Sequence, residues 1–216
     1  MLWADDSFGA GDRIGDVSLS GLAFVAPRLG SAAVIPELET ERLRLRSLRL
    51  DDLDAYARMY ADPEVMRFLE HGVPLDRAAA FRGMALHLGH WELRGYGQWA
   101  LEDRATGRFI GRAGLWQPDG WPGLEVGWVL DRAAWGHGYA TEAASAAIDY
   151  AFAVLQADEI ISLIRPENTG SIRVAERIGE TYQQDVELLG EVARVYSKPR
   201  DGGAAPAFAL TPITER

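Results

Sequence analysis

Apolar residues in the second half of the chain follow two periods, one typical of strands and the other of helices. Residues 124–130 and 160–164 are apolar runs of strand length. Between them, apolar residues recur at helical spacing; they are Ala140, Ala143, Ala144, Ala147, Ile148, Ala151, Phe152 and Leu155. A further short helix is predicted from about Thr169 to Ile178, where Gly179 ends it. The pattern therefore predicts the order strand, helix, strand, helix.

The first half of the chain predicts a strand, two helices and a hairpin. Leucines that nearly alternate with arginines indicate a half-buried strand; they are Leu43, Leu45 and Leu48. Asp51 and Asp52 open a helix whose inward residues are Leu53, Tyr56 and Tyr60. A second helix is predicted over residues 76–94, with Phe81, Met84, Leu88 and Trp91 on one face. Residues 98–102 and 109–116 flank a turn and predict the hairpin.

Together these elements predict an α+β fold with a mixed, mostly antiparallel sheet flanked by helices. Residues 124–130 and 160–164 would form the one parallel pair, joined through a right-handed crossover. With 216 residues, 48% of them hydrophobic, the chain can form one compact domain, which we place at residues 37–200. Residues 1–36 are predicted to be a loosely packed N-terminal extension and residues 201–216 a C-terminal tail.

Charge and cysteine content limit the partners. A formal net charge of −10 argues against nucleic acid and weakly favours a basic or amine-bearing substrate. The absence of cysteine excludes disulfides, thiolate metal sites and a cysteine nucleophile, and agrees with a cytoplasmic protein. Residues 1–15 carry acids where a secretory signal would be basic, and residues 22–35 are interrupted by Pro27 and Arg28. We therefore predict neither export nor a membrane partner.

The most informative stretch is WGHGYATEA at residues 135–143, which links a predicted strand to a predicted helix. Gly136 and Gly138 can adopt backbone angles closed to other residues and let an anion approach unpaired N–H groups at the helix start. A diphosphate fits such a turn. The P-loop spacing is absent, and Lys198 is the only lysine in the chain. The third glycine of the dinucleotide-binding fingerprint is missing too, so a Rossmann-type nucleotide binder is the weaker alternative.

Several blocks, taken in order, resemble the GNAT superfamily of acyl-CoA-dependent N-acetyltransferases, and within it the RimJ/RimL-like branch. They are ETERLRLR at 39–46, DPEV at 62–65, FIG at 109–111, EVGWVL at 125–130, WGHGYATEA at 135–143 and PENTGSIRV at 166–174 with Gly179. One block alone would be weak evidence, but their order and spacing over about residues 36–200 are specific.

The resemblance implies acetyl-CoA as a co-substrate and direct transfer of its acetyl group to a primary amine. The residues implied for the diphosphate are Trp135, Gly136, His137, Gly138, Tyr139, Ala140 and Thr141. The pantetheine would lie along the strand from Gly127 to Leu130, with Val129 and Leu130 as binding residues, and Asn168 would contact the pantetheine or the leaving sulfur. The acceptor could be a protein N-terminus or a small molecule such as an antibiotic or a polyamine. The branch also allows a homodimer.

Acetyl transfer needs a neutral amine, a donor for the developing oxyanion and stabilisation of the leaving thiolate. Glu125, at the start of its strand, is the predicted base; a solvent-exposed strand-edge charge is the alternative. A backbone N–H near Val129 is the predicted oxyanion donor. The tyrosine acid that many members carry about seven residues after Asn168 is here Ala175, so protonation of the leaving thiolate would fall to Ser171, to water or to no side chain at all. Asn168 and Ser171 are equally at home in a helix start.

Three further predictions concern side chains around this site. Glu180 stands where the family usually has Phe or Met, so we expect different packing near the final strands. His87 and His90 lie three residues apart without a completing acid or cysteine, which predicts a solvent-facing pair and no bound metal. Residues 117–123 precede Glu125 and could line the acceptor pocket.

A non-catalytic acyl-CoA-binding module or sensor is the alternative function, for which Glu125 and Ser171 would be dispensable.

Overall fold

The computed structural model describes residues 35–69, 71–188 and 190–200. The predicted N-terminal extension, apart from Ile35 and Pro36, and the predicted C-terminal tail lie outside the described residues. Where the described chain begins, the indole Nε1–H of Trp99 donates to the backbone oxygen of Pro36 at 2.8 Å. This bond ties the start of the described chain to the sheet.

Eight strands form one sheet in the order β1-β2-β3-β4-β5-β6-β8-β7. The strands are β1 (Leu38–Glu39), β2 (Leu43–Arg46), β3 (Gln98–Asp103), β4 (Phe109–Trp116), β5 (Glu125–Leu130), β6 (Glu159–Ile164), β7 (Thr181–Leu188) and β8 (Glu191–Pro199). In the part of the chain that the structure describes, β5 and β6 are the only parallel neighbours. The predicted α+β class, the hairpin and the single parallel pair are confirmed, and the doubly wound parallel sheet of a Rossmann fold is excluded.

Five helices connect these strands. They are α1 (Leu53–Ala61), α2 (Pro63–Met66), α3 (Arg77–Arg94), α4 (Tyr139–Ala153) and α5 (Thr169–Arg177), with short 3₁₀ turns at Leu50–Asp52 and Arg132–Ala134. Asp76 caps α3 by accepting from the N–H of Ala79, and Gly95 ends this helix in the left-handed conformation. None of the described helices is long and apolar enough to cross a membrane.

Helices pack on both faces of the sheet. The alanines of α4 that face β4 and β5 are fully buried, because small side chains let the helix approach the strands closely; they are Ala143, Ala144, Ala147 and Ala151. On the opposite face, α1, α2 and α3 form a second cluster with side chains of β3 and β5. Its members include Tyr56, Met59, Met84, Ala100 and Val129.

Two predictions for α3 are wrong. Phe81 was expected on the inner face but is 48% exposed, because the buried residues of this helix run from Ala80 through Met84 to Trp91. The histidines were expected in solvent, yet His87 is 8% and His90 is 6% exposed. His90 stacks on Trp116 at 4.5 Å between ring centroids, with Nδ1 2.8 Å from the backbone oxygen of Tyr96. Aromatic packing from β4, which the helix sequence does not reveal, buries this pair.

Candidate active site

The site begins where the parallel strands β5 and β6 separate. They pair only at Glu125 and Ile161, where the N–H of Ile161 donates to the oxygen of Leu124 at 3.0 Å. One step further, the hydroxyl of Ser162 lies 3.0 Å from the oxygen of Val126, in the place of a ladder bond. The backbone N–H of Leu163 stabilises the side chain of Glu125. Side-chain hydrogen bonds thus take the place of backbone hydrogen bonds between β5 and β6 beyond this point. We call the opening between the two strands the fork.

A cavity of about 580 Å³ fills this fork and extends under α1 and α3. It brings together three residues that the sequence proposed from separate motifs: Glu125 on β5, and Asn168 and Ser171 at the start of α5. Trp121, from the predicted pocket loop, lines it as well. A volume of this size can hold a small ligand or the reacting ends of two ligands.

Glu125 is half-buried in the cavity wall, rather than free in solvent at a strand edge. The indole Nε1–H of Trp121 donates to its Oε2 at 2.7 Å. Burial raises the pKa of Glu125 to about 7, against the opposing effects of Trp121, the N–H of Leu163 and, last, Arg112. A carboxyl with this pKa can accept a proton near neutral pH, as a general base must.

Glu180, directly after α5, is the second carboxyl beside the fork, and only 2% of it is exposed. The hydroxyl of Ser162 lies 3.1 Å from Glu180 Oε1 as well as 3.0 Å from Val126 O. One hydroxyl proton serves one acceptor, so a Glu180 protonated at Oε1 that donates to Ser162, which donates to Val126, gives both bonds a proton, while Glu180 Oε2 is buried without a partner in the described residues. Burial raises the pKa of Glu180 to about 8, in agreement with this arrangement. The altered packing expected here is therefore a buried, neutral carboxylic acid.

The glycine turn adopts the conformation that the sequence predicts. Gly136 has φ +78° and Gly138 has φ +81°, both in the left-handed region that favours glycine. Gly138 precedes the first residue of α4, and no side chain caps the helix start. The first N–H groups of α4 are thus left for a ligand, and no atom lies within 4 Å of where a Cβ on Gly136 would be. The turn fits an anionic group such as a diphosphate.

Arg42, which sequence reasoning left out of the site, lies beside this turn. Its NH1 donates to the backbone oxygen of His137 at 2.8 Å, and its guanidinium lies 4.7 Å from the ring centre of Tyr139. Arg42 also forms a 2.6 Å ion pair with Glu142 in the first turn of α4, and Thr40 donates to the same carboxyl. Although burial opposes it, these hydrogen bonds lower the pKa of Glu142. Because Arg42 lies almost a hundred residues from the turn, no local motif could have identified it.

The edge of β5 that faces the fork is defined by the alternation of its hydrogen bonds. The N–H of Asp131 donates to Ile110 O on the β4 side, whereas the oxygens of Leu124 and Val126 face β6. By this alternation Val129, paired with Arg112, directs its N–H to β4. The predicted oxyanion donor is a backbone N–H near Val129, and among the neighbouring residues Trp128 and Leu130 are the ones whose N–H groups face the fork.

Two other predicted residues have defined structural partners. Trp135 donates its indole N–H to the oxygen of Leu130 at 2.9 Å, which fixes the end of β5 against the glycine turn. Asn168 accepts from the backbone N–H of Ser171 at 3.1 Å and so caps α5, the structural role weighed for it. Ala175 is fully buried, and its position offers no acid. Among the described residues, no three histidine, aspartate or glutamate side chains cluster in a way that could hold a metal ion.

Comparison with known proteins assigns this chain and its fold to a family. The chain belongs to the Acetyltransferase (GNAT) domain family, which it matches over residues 42–181. The Bacillus subtilis (strain 168) protein YkkB, itself uncharacterized, is 34% identical over 170 residues, or 75% of this chain and 95% of YkkB. The uncharacterized N-acetyltransferase p20 of Bacillus licheniformis is 34% identical over 139 residues, or 63% of this chain and 78% of p20.

The fold comparison agrees. The crystal structure of an acetyltransferase from Agrobacterium tumefaciens str. C58 is 35% identical in sequence and superposes with a TM-score of 0.70. The match covers 77% of this chain and 95% of that protein. The protein is therefore an acyltransferase of the GNAT superfamily.

Proposed function

We propose that this protein transfers the acetyl group of acetyl-CoA directly to a primary amine, with Glu125 as the general base. The observation that carries the proposal is the cavity at the fork, in which Glu125, with a pKa raised to about 7, shares the wall with Asn168 and Ser171. Membership of the GNAT superfamily supports the same reaction.

The base is matched to an amine that is already partly neutral. A lysine side chain, with a pKa near 10.4, is neutral in only about one molecule in several thousand at pH 7, whereas an α-amine near 8 is neutral in roughly a tenth. Glu125 would accept the proton from the amine, directly or through one water. An α-amine therefore needs less help than a lysine side chain, most of all where no carboxylate lies beside it, as at a peptide N-terminus, and we favour an α-amine as the acceptor group.

Main-chain and aromatic groups would position the co-substrate, acetyl-CoA, whose thioester supplies the activated acetyl group. The diphosphate would lie on the residues from Trp135 to Thr141, where α4 begins without a cap. The pantetheine would run along the open edge of β5 to Leu130, and a fork-facing N–H, that of Trp128 or Leu130, would donate to the developing oxyanion. Asn168 would position the sulfur, and Ser171 would donate to the leaving thiolate. A thiolate with a pKa near 8.5 leaves without strong acid assistance.

The proposal is tested by measuring thiol release from acetyl-CoA. The acceptors would be peptides with free N-termini, free amino acids, polyamines and aminoglycosides, with calorimetric binding of CoA in parallel. Binding together with turnover on one acceptor class is the expected result. CoA binding without turnover on any amine would instead favour the non-catalytic acyl-CoA sensor, and absence of CoA binding would contradict the role of the glycine turn.

Three finer assignments belong to the same proposal. Placement in the RimJ/RimL-like branch is supported by the order of the sequence motifs. A cytoplasmic location agrees with the lack of cysteine and with the use of acetyl-CoA. A homodimer is expected from the branch and would be checked by light scattering.

A further inference from the structure

Arg112, on β4, is a cation at the floor of the cavity that forms no ion pair within the described residues. Its Nε donates to the hydroxyl of Tyr60, and its NH1 donates to Gln98 Oε1 at 2.9 Å. Both partners are neutral, and among the described carboxylates none forms an ion pair with Arg112. The charge of Glu125 acts on Arg112 without an ion pair between them, and a half-buried guanidinium without an ion pair is costly to keep in a protein interior. An anion supplied by a ligand would remove this cost.

The two fixed hydrogen bonds leave three of the five N–H groups of the guanidinium without a partner in the described residues. Nε is used by Tyr60 and one N–H of NH1 by Gln98, so the remaining N–H groups belong to NH1 and NH2. A carboxylate can accept charge-assisted hydrogen bonds from these groups. Arg165, the other arginine that lines the cavity, differs because it forms a 3.0 Å ion pair with Glu191.

Arg112 and the proposed base lie on the same face of the sheet, with open space between them. Arg112 is paired across the ladder with Val129, and two residues earlier in β5 stands Gly127, which has no side chain. The position that a Cβ on Gly127 would take is 3.8 Å from Gln98 Nε2 and 3.9 Å from Glu125 Oε1. A small acceptor above Gly127 can therefore meet Glu125 at one end and the pair of Gln98 and Arg112 at the other.

The geometry points to an acceptor that carries a carboxylate close to its amine, as a free amino acid does, with Arg112 binding the carboxylate while Glu125 faces the amine. This inference rests on the proposed acetyl transfer and names the substrate class for the same site. Arg112 would be a specificity-determining residue, and Tyr60 and Gln98 would position its guanidinium. Peptide N-termini and polyamines lack this carboxylate and would be poorer acceptors.

The test compares free amino acids with their amides, which keep the amine but remove the charge. We expect kcat/KM to favour the free acids by about 10- to 150-fold, the range for loss of a hydrogen bond to a charged group. Because the amine of the amide is less basic and more often neutral, this bias works against the inference. Arg112→Gln should remove the preference, mainly by raising KM for the acids, and Arg112→Lys should retain only part of it.

Controls separate specificity from folding and from the reaction itself. Arg77→Gln removes one positive charge from the exposed start of α3, outside the cavity, and should leave the preference unchanged. If Arg112→Gln does not fold, as judged by melting temperature and CoA binding, Tyr60→Phe removes one partner of Arg112 and should weaken the preference.

Equal kcat/KM for acids and amides in the wild type would overturn the role of Arg112 but leave acetyl transfer standing. Absence of turnover on every amine would overturn both.

Discussion

The two halves of the site, the glycine turn at the start of α4 and the cavity at the fork of β5 and β6, are built in different ways. The turn is made of main chain, and its conformation is set by Gly136 and Gly138 within a few consecutive residues. The cavity is made of side chains such as Gln98, Arg112 and Glu125, which come from three different strands. The backbone conformation of the proposed diphosphate site is therefore encoded locally, whereas the proposed acceptor site depends on tertiary contacts. Substitutions in the two halves should accordingly affect different constants.

The largest effect is expected in the cavity. Glu125→Gln keeps the shape of the side chain but removes the base, and should lower kcat by about 10² to 10⁴-fold. Because the glycine turn is distant from this change, the affinity for CoA should remain that of the wild type. Thiol release at saturating substrate, with calorimetric CoA binding, measures both quantities. An unchanged kcat would remove Glu125 from the reaction.

The second carboxyl at the fork should influence stability rather than chemistry. Glu180 has a pKa raised to about 8, above that of an unfolded carboxyl, so the folded state binds more protons and stability falls as pH rises between about 5 and 8. The slope from this one group is about 1.4 kcal/mol per pH unit. In Glu180→Gln, which resembles the protonated form, this contribution should disappear.

Urea unfolding at pH 5.5, 6.5 and 7.5 checks this prediction through the difference between wild type and variant. Since Glu125 contributes a similar slope at the lower end of the range in both proteins, it cancels in that difference. Parallel stability curves for the two proteins would mean that Glu180 is not protonated when folded.

The glycine turn should show the opposite behaviour, with an effect on binding and none on chemistry. Gly136→Ala and Gly95→Ala are matched, because φ is +78° and +76° and a Cβ at either position has no neighbour within 4 Å. Each should cost roughly 1–2 kcal/mol of stability from the left-handed conformation. Only Gly136→Ala should weaken CoA binding in calorimetry. Equal CoA affinity in both variants would argue against the turn as the diphosphate site.

The smallest effect concerns the environment of the base. Trp121→Phe removes the indole hydrogen bond that favours the charged form of Glu125, so the pKa of Glu125 should rise further. Loss of a charge-assisted bond of this kind corresponds to a shift of roughly one pH unit in the activity profile. The profile of kcat/KM against pH for the variant measures this shift, and an unshifted profile would mean that Trp121 does not act on Glu125.

Sequence reasoning succeeded where neighbours in the chain determine the structure. The helical spacing of the alanines identified the buried face of α4, and Gly136 and Gly138 identified the left-handed turn. Glu125 was selected from its strand motif, and the structure places it in the cavity wall.

The sequence did not predict the burial or the partners of side chains whose surroundings are formed by distant elements of the fold. His90 is buried because Trp116, on a strand further along the chain, stacks on it. The partners of Arg112 come from α1 and β3, and Arg42 reaches the glycine turn only through the fold. The sequence placed the oxyanion donor only near Val129, because the register with β4 decides which N–H groups of β5 remain available. Charged and polar residues gain their roles here from tertiary contacts.

The most direct test of the account is the pH dependence of kcat/KM for acetyl transfer in the wild type and in Glu125→Gln. Since a base acts when deprotonated, the wild-type value should rise with pH through about 7, the pKa of Glu125 in the folded protein. A second rise at higher pH would reflect the acceptor amine. The variant should bind acetyl-CoA normally but lack the rise near pH 7. A variant profile that keeps this rise at the wild-type rate would contradict the assignment of Glu125 as the base.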